Sequence, residues 1–133
     1  MRKIVAIGIV IVMLLVVFAA ITSTTPTPKT ILDDTVSLGT SSSLNVKRWS
    51  LDLTAGQTVA VSVTVDSGDG PVAVSLWHEL ANGTVTKAYL SQVNVVASGS
   101  WEFKIETSGP HPLEVVNGGT QTAQVHVTVT AKQ

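Results

Sequence analysis

The stretch TVAVSVTV, residues 58–65, places a valine at every second position. Side chains of an extended strand alternate between two faces, so a period of two predicts a strand with one buried and one wet face. The stretches WEFKIE, residues 101–106, and VHVTVT, residues 125–130, repeat this period. After residue 22 no stretch has the 3.6-residue period of a helix. The sequence therefore predicts an all-β fold.

Turn-forming residues separate the alternating stretches. Asn-Gly occurs at 82–83 and 117–118 and favours tight hairpins. A bulge at 47–48 would bring Leu44 into phase with Leu51. Seven to nine short antiparallel strands predict a single β-sandwich of the jelly-roll or Ig-like type. The predicted strands are 35–38, 44–53, 58–65, 72–78, 84–90, 92–96, 101–106, 112–116 and 122–130.

An apolar segment precedes the strands. Residues 4–21 contain no charge and include thirteen Ile, Val, Leu or Phe residues. At 1.5 Å per residue a helix of this length spans about 27 Å, close to the hydrocarbon thickness of a bilayer. Arg2 and Lys3 precede it, and positive residues stay in the cytoplasm. The sequence predicts a single-pass cell-membrane protein with an extracytoplasmic C-terminal domain.

The chain divides into an N-terminal transmembrane signal-anchor at 1–21, a Thr/Pro-rich stalk at 22–31 and a β-sandwich at 32–133. Two alternatives to the uncleaved anchor are a cleaved signal peptide, which would make the domain secreted, and a pilin-type leader clipped after Lys3. Pro and Thr at this density favour an extended stalk.

Composition excludes several classes of function. From residue 22 onward the chain has nine acidic and six basic residues, a net charge of −3. Nucleic-acid binding requires a dense basic face, so we expect no nucleic-acid partner. The chain has no cysteine, which excludes disulfides and thiolate catalysis. No serine nucleophile elbow or phosphate-binding loop occurs. We therefore expect no enzyme activity and no cofactor.

The histidines lack the spacing of a metal motif. His78, His111 and His126 have no histidine neighbour at i+2 or i+4, so we interpret them as ordinary turn or surface residues. His111 lies between prolines 110 and 112, which we expect to interrupt strand pairing. Asp66 and Asp69 share a turn that is either a solvated loop or, as an alternative, a calcium site.

Two side chains are candidates for surface function. Trp77 is out of phase with the apolar residues of its strand, so it is predicted to face away from the core and to contact a ligand. Trp101, in contrast, is predicted to lie in the core with Phe103. Asn82 begins an Asn-Gly-Thr glycosylation sequon in a predicted exposed turn.

Residues 49–130 resemble the GOLD and bacterial pre-peptidase C-terminal group of β-sandwich domains. The resemblance depends on LDLTAGQ at 51–57, GSWEFKI at 99–105 and SGPHPLEVVN at 108–117. It implies a non-catalytic accessory module that binds proteins, glycans or cargo. The chain differs from GOLD proteins because their membrane helix follows the domain, and it lacks the protease that pre-peptidase domains accompany.

We therefore expect a membrane-anchored cell-surface accessory or structural module that mediates protein or envelope interactions. One alternative is a subunit of an extracellular filament whose core is the N-terminal helix. Another is a carbohydrate-binding module.

The mass of the native protein distinguishes the anchor from the filament. An uncleaved anchor leaves Met1 or its processed neighbour at the N-terminus, and a pilin-type leader leaves Ile4. We expect intact-mass spectrometry to find the full-length chain. A mass that matches a chain beginning at Ile4 would contradict the anchor. A mass that matches a chain beginning after residue 21 would indicate a cleaved signal peptide.

Overall fold

The computed structural model describes residues 27–133, so the predicted transmembrane segment, residues 4–21, lies outside the described part. Residues 27–133 form eight strands, and no helix able to cross a membrane occurs among them. Residues 29–31, assigned above to the stalk, belong to the first strand. The strands are β1 Lys29–Leu38, β2 Val46–Leu53, β3 Thr58–Ser67, β4 Val72–Glu79, β5 Val85–Val95, β6 Ser98–Lys104, β7 Gly109–Asn117 and β8 Ala123–Lys132.

The eight strands form one long antiparallel ribbon that is rolled up. Along the ribbon β4 pairs with β5, β3 with β6, β2 with β7 and β1 with β8. Rolling places β8 beside β3 and β7 beside β4, which gives the sheet orders β1-β8-β3-β6 and β2-β7-β4-β5. Two four-stranded antiparallel sheets confirm the predicted sandwich. The ribbon arrangement is that of a double-sheet jelly roll, the first of the two predicted types.

The core lies between the two sheets and consists mainly of valine and leucine. Alternate residues of β3 and β8 are fully buried, as the period of two predicts. Burying one such side chain completely stabilises the fold by roughly 1.5–3 kcal/mol. The buried aliphatic residues of these strands and of the facing sheet are Val59, Val61, Val63, Val125, Val127, Val129, Val72, Val74, Leu76, Leu113 and Val115.

The register of β2 corrects one prediction. β2 begins at Val46 and pairs with β7 without a shift as far as Leu53, so the predicted bulge at 47–48 is wrong. Leu44 lies before the strand and is 65% exposed. Its N–H donates to the Ser41 carbonyl, and its carbonyl accepts from the Gly39 N–H. Because Leu44 belongs to a turn, it does not need to share the phase of Leu51.

Two further predicted boundaries differ from the structure. Predicted strands 84–90 and 92–96 are one strand, β5, which contains a bulge where Gln92 has a φ of 49°. Pro110 and Pro112 lie within β7, opposite Asp52 and Ser50 of β2. The ladder between β7 and β4 starts only at Leu113, so the missing N–H groups leave no gap on that side.

Asn117 is buried at a corner of the sandwich rather than in a tight hairpin turn. The chain leaves β7 here and crosses to β8 in the other sheet, so the predicted hairpin at 117–118 is wrong. The Asn117 Nδ2 donates to the carbonyls of Leu38 (3.3 Å), Gly39 (3.0 Å) and Gln121 (2.9 Å). One amide thus ties the connection after β7 to the end of β1, which explains why a polar side chain is buried there.

The open side between β1 and β2 is closed by a polar contact. Asp34 shares the inward phase of β1, and its Oδ2 accepts a hydrogen bond from Trp49 Nε1 at 3.1 Å. A carboxylate that points inward at a sheet edge discourages pairing with another chain.

His78 and His111 form a buried pair, contrary to the interpretation of both as turn or surface residues. They are 2% and 0% exposed, and their ring centroids are 4.8 Å apart. Nδ1 of His111 donates to the Gly109 carbonyl at 2.8 Å, and His78 Nδ1 bonds Thr86 Oγ1. The buried Nε2 of His111 has no hydrogen-bond partner among residues 27–133.

This environment makes the stability of the fold dependent on pH. Burial lowers the pKa of His111 below its ordinary value of 6.5, the bond to Gly109 opposes this, and nearby His78 lowers it further. The folded state then binds fewer protons than the unfolded state, so stability decreases as pH falls below 6.5.

We predict that the free energy of unfolding decreases between pH 7 and pH 5, and that His111→Phe reduces this decrease. Phenylalanine keeps a buried ring but has no site to protonate. Urea denaturation at each pH measures the effect, and the difference between the two proteins at pH 8 gives the cost of lost packing and hydrogen bonding alone. Equal pH dependence of both proteins would contradict the prediction.

Candidate functional site

The outer face of the sheet β2-β7-β4-β5 carries a cluster of charged and aromatic side chains. Residues of β4 alternate strictly, so Leu76 faces the core and Trp77 lies half-buried on the outer face, the side that the sequence period predicts. Register places Glu114 of β7 between Arg48 of β2 and Ser75 of β4. Three strands therefore contribute to one row of polar side chains beside Trp77.

Two contacts hold Trp77 in place, and an ion pair fixes the second of its partners. Its Nε1 donates to Glu79 Oε2 at 2.9 Å. The Arg48 guanidinium lies 5.0 Å from the ring centroid, a cation–π distance. Arg48 is itself fixed because its Nη2 and Nε donate to Glu114 Oε2 at 3.0 and 3.2 Å. A partner that contacts this indole meets a side chain that is already ordered.

Two shallow grooves lie on this face, each of about 280 Å³. Trp77 lines only the groove on the β5 side and Arg48 only the other, so their contact forms the ridge between the grooves. The β5-side groove is lined by Ser75, Trp77, Val85, Ala88, Leu90, Ser91, Gln92 and Glu114. The β2-side groove is lined by Arg48, Ser50, Glu79, Leu80, Ala81, Pro110 and Pro112.

Of the side chains on this face, the hydrophobic period of the sequence points to Trp77 alone. Arg48, Glu114 and Gln92 were missed, because their proximity depends on strand register and on a bulge. No local sequence pattern predicts the register or the bulge. The only available signal was the Trp77 phase itself, which predicted an outer face with at least one large aromatic residue.

Asn82 lies in the hairpin turn between β4 and β5 and is exposed. Gly83 has a φ of 84°, and its N–H donates to the Leu80 carbonyl at 2.9 Å. The Asn82 Oδ1 accepts a hydrogen bond from the Thr84 N–H at 3.1 Å. The side chain is open to solvent at the edge of the β2-side groove, and its glycosylation stays a prediction.

Asp66 and Asp69, the alternative calcium site, differ in their contacts, and calcium binding by this turn stays a prediction. Asp66 is exposed, whereas Asp69 Oδ1 accepts hydrogen bonds from the backbone N–H groups of Thr120 (2.7 Å) and Gln121 (2.9 Å). The Thr120 hydroxyl donates to the other oxygen and is the main cause of a lowered Asp69 pKa. Asp69 thus joins two loops. Among residues 27–133 no group of three or more metal-ligating side chains occurs.

Trp101 faces the core side but lies on an edge strand. It is opposite Val61 of β3, in the predicted phase, yet it is only half-buried because no strand within residues 27–133 pairs with β6 on its other side. Its ring lies against Gly99, where an added Cβ would be 2.6 Å from Cη2 of the indole.

The geometry defines a β-sandwich module with one candidate binding face. No family model and no curated protein matches the chain. The fold is similar to that of Bacillus endospore appendages, a family of disulfide-linked pili, with a TM-score of 0.52 and 11% identity over 82% of this chain and 88% of that one. At this identity the likeness concerns the fold alone.

Two more distant structures also match. One is a periplasmic inhibitor of g-type lysozyme from Aeromonas hydrophila, with a TM-score of 0.48 and 14% identity over 80% of this chain and 87% of that one. The other is the pre-peptidase C-terminal domain of a Bacillus anthracis collagenase, with a TM-score of 0.48 and 15% identity over 74% and 89%. The two four-stranded sheets agree with the β-sandwich part of the resemblance to the GOLD and pre-peptidase group, and membership of either family stays a prediction.

Truncation of Trp77 and truncation of Trp101 should differ in their effect on the free energy of unfolding. A fully buried tryptophan costs about 3–5 kcal/mol when truncated, so half-buried Trp101→Ala should cost about 2 kcal/mol. Trp77→Ala, which loses a surface cation–π contact and one hydrogen bond, should cost about 1 kcal/mol. Urea denaturation measures both. Gly99→Ala should also destabilise the protein, and a Trp77 variant as unstable as the Trp101 variant would assign Trp77 to the core.

Proposed function

We propose that the chain is a non-catalytic, membrane-tethered module that binds a surface partner through the outer face of the sheet β2-β7-β4-β5. The observation that carries this proposal is the fixed Trp77–Arg48 contact between two open grooves. Tryptophan and arginine are the residues most enriched among the side chains that dominate binding energy at interfaces.

The two outer faces of the sandwich differ in chemistry. The outer face of the sheet β1-β8-β3-β6 carries small hydroxyl residues. Ser62 of β3 and Ser100 of β6 lie opposite each other there, and their hydroxyls form a hydrogen bond at 3.1 Å. That face carries neither a tryptophan nor an arginine within the described strands. A partner that requires an aromatic anchor is therefore expected on only one side of the domain.

The tether is supported by the sequence and by the start of β1. Residues 4–21 have the length and composition of a membrane span, and strand β1 begins at Lys29. A fully extended stalk of residues 22–28, as their Pro and Thr content favours, would span about 22 Å at 3.1 Å per residue. Such a spacer holds the domain close to the membrane surface, as expected for an accessory module of the cell envelope.

The filament alternative remains a second candidate. A fold of this kind occurs in the Bacillus endospore appendages, and residues 4–21 would supply the assembly core. Trp77 has no role in that alternative, so the experiment below also separates the two.

Site-specific photo-crosslinking in cells that express the full chain tests the proposal. A benzophenone side chain replaces Ser50 on the proposed face or Thr64 on the opposite face, both of which are exposed strand positions. We expect a discrete adduct from position 50, lost when Trp77→Ala is added, and no discrete adduct from position 64. Adducts from position 64 alone, or adducts that do not depend on Trp77, would contradict the proposed face.

A further inference from the structure

The groove on the β5 side of Trp77 has an aromatic wall beside a small floor. Ala88 of β5 lies directly opposite Trp77 and is exposed, so no bulky side chain of residues 27–133 covers the space between these two positions. Val85, 53% exposed, supplies an apolar rim. A flat ligand that enters the groove can therefore lie against the indole and pass over the alanine.

Four other residues that line the groove supply hydrogen-bonding groups. They are the hydroxyls of Ser75 and Ser91, the amide of Gln92 and the carboxylate of Glu114. Both Arg48 bonds go to Oε2 of Glu114, which leaves Oε1 outside the ion pair. Donors and acceptors thus surround an aromatic surface, the combination that a ring bearing several hydroxyl groups requires.

Backbone strain at Gln92 coincides with this groove. Gln92 is the one residue other than glycine with a positive φ in residues 27–133, and its N–H donates to Ser75 Oγ at 3.1 Å. A left-handed conformation is unfavourable for glutamine, and bulges of this kind commonly re-aim side chains beside functional sites. The bulge places Ser91 and Gln92 in the lining of the same groove.

Size and charge narrow the ligand class. At about 280 Å³ the groove lies just below the roughly 300 Å³ at which drug-sized pockets begin, so it has room for about one ring. Two carboxylates, Glu79 and Glu114, flank Trp77 and only one of them is paired with Arg48, which disfavours an anionic ligand. A sugar ring fits, because its polarised C–H bonds face the negative π surface while its hydroxyls reach the rim.

We propose that the Trp77 groove binds one neutral pyranose unit of a surface or envelope glycan, with Trp77 as the stacking platform and Ser75, Ser91, Gln92 and Glu114 as the hydroxyl contacts. This inference rests on the proposed binding face and names the ligand for it. A single-ring site of this size has a dissociation constant on the order of 1 mM, so the site gains avidity when many domains share a membrane surface.

Ligand-observed saturation-transfer NMR on the full chain in detergent micelles tests the inference. The probes are neutral oligosaccharides of glucose, galactose, mannose and N-acetylglucosamine, with sialyllactose as the anionic comparison. We expect saturable binding of at least one neutral probe. Trp77→Ala should weaken it at least tenfold and Gln92→Ala severalfold, whereas Trp77→Phe retains a ring and should retain most of the binding.

Trp49→Phe is the matched control, since Trp49 is a half-buried tryptophan tied to Asp34 at the opposite edge of this sheet. It should leave binding unchanged, and denaturation curves verify that each variant is folded. No saturable binding of any neutral probe, or binding indifferent to Trp77→Ala, overturns the inference. Trp77-dependent crosslinking from position 50 would then still stand, so failure of the sugar site is distinguishable from failure of the proposed face.

Discussion

The packing of valines from β3 and β8 against the facing sheet is the interaction on which the rest of the structure depends. These two strands lie at the centre of one sheet, and their inner residues are completely buried. Because the chain folds as a rolled ribbon, each strand pair must bury its alternate side chains against a pair from another part of the ribbon. This packing brings distant connections of the chain together. Only then can the Asn117 amide bond the chain after β1, and only then can Asp69 bond the loop after β7.

The sequence revealed the features that depend on local period. Strands β3, β4 and β8 follow their alternation closely, and the same alternation assigned Trp77 to the outer face. The features that the local period did not predict depend on contacts between residues that are distant in the chain. His78 and His111 are separated along the chain by strands β5 and β6 and three connections, and only pairing of β4 with β7 buries them together. Pro110 and Pro112 suggested an interruption, but whether a proline interrupts a sheet depends on which neighbour requires its N–H.

The candidate binding face was only partly predictable for the same physical reason. The phase of Trp77 is a local property, whereas the Arg48–Glu114 ion pair requires the exact offset of β2 and β7. The groove further requires Gln92 to adopt a conformation that its residue type disfavours. A sandwich can be recognised from its hydrophobic pattern, but the chemistry of its surface depends on register, and register is set by the whole fold.

The start of β1 has a mechanical consequence. Lys29 lies opposite Ala131 near the C-terminal end of β8, and the antiparallel ladder continues to Leu38 at the other end of the strand. A pull on the preceding chain therefore acts along the axis of β1, parallel to the strand and perpendicular to its hydrogen bonds. Under such shear many bonds of the ladder share the load at once, whereas a pull from the side would open them one by one. If the proposed tether and the proposed binding face both hold, a load applied between them would stretch the β1–β8 ladder in this shear geometry.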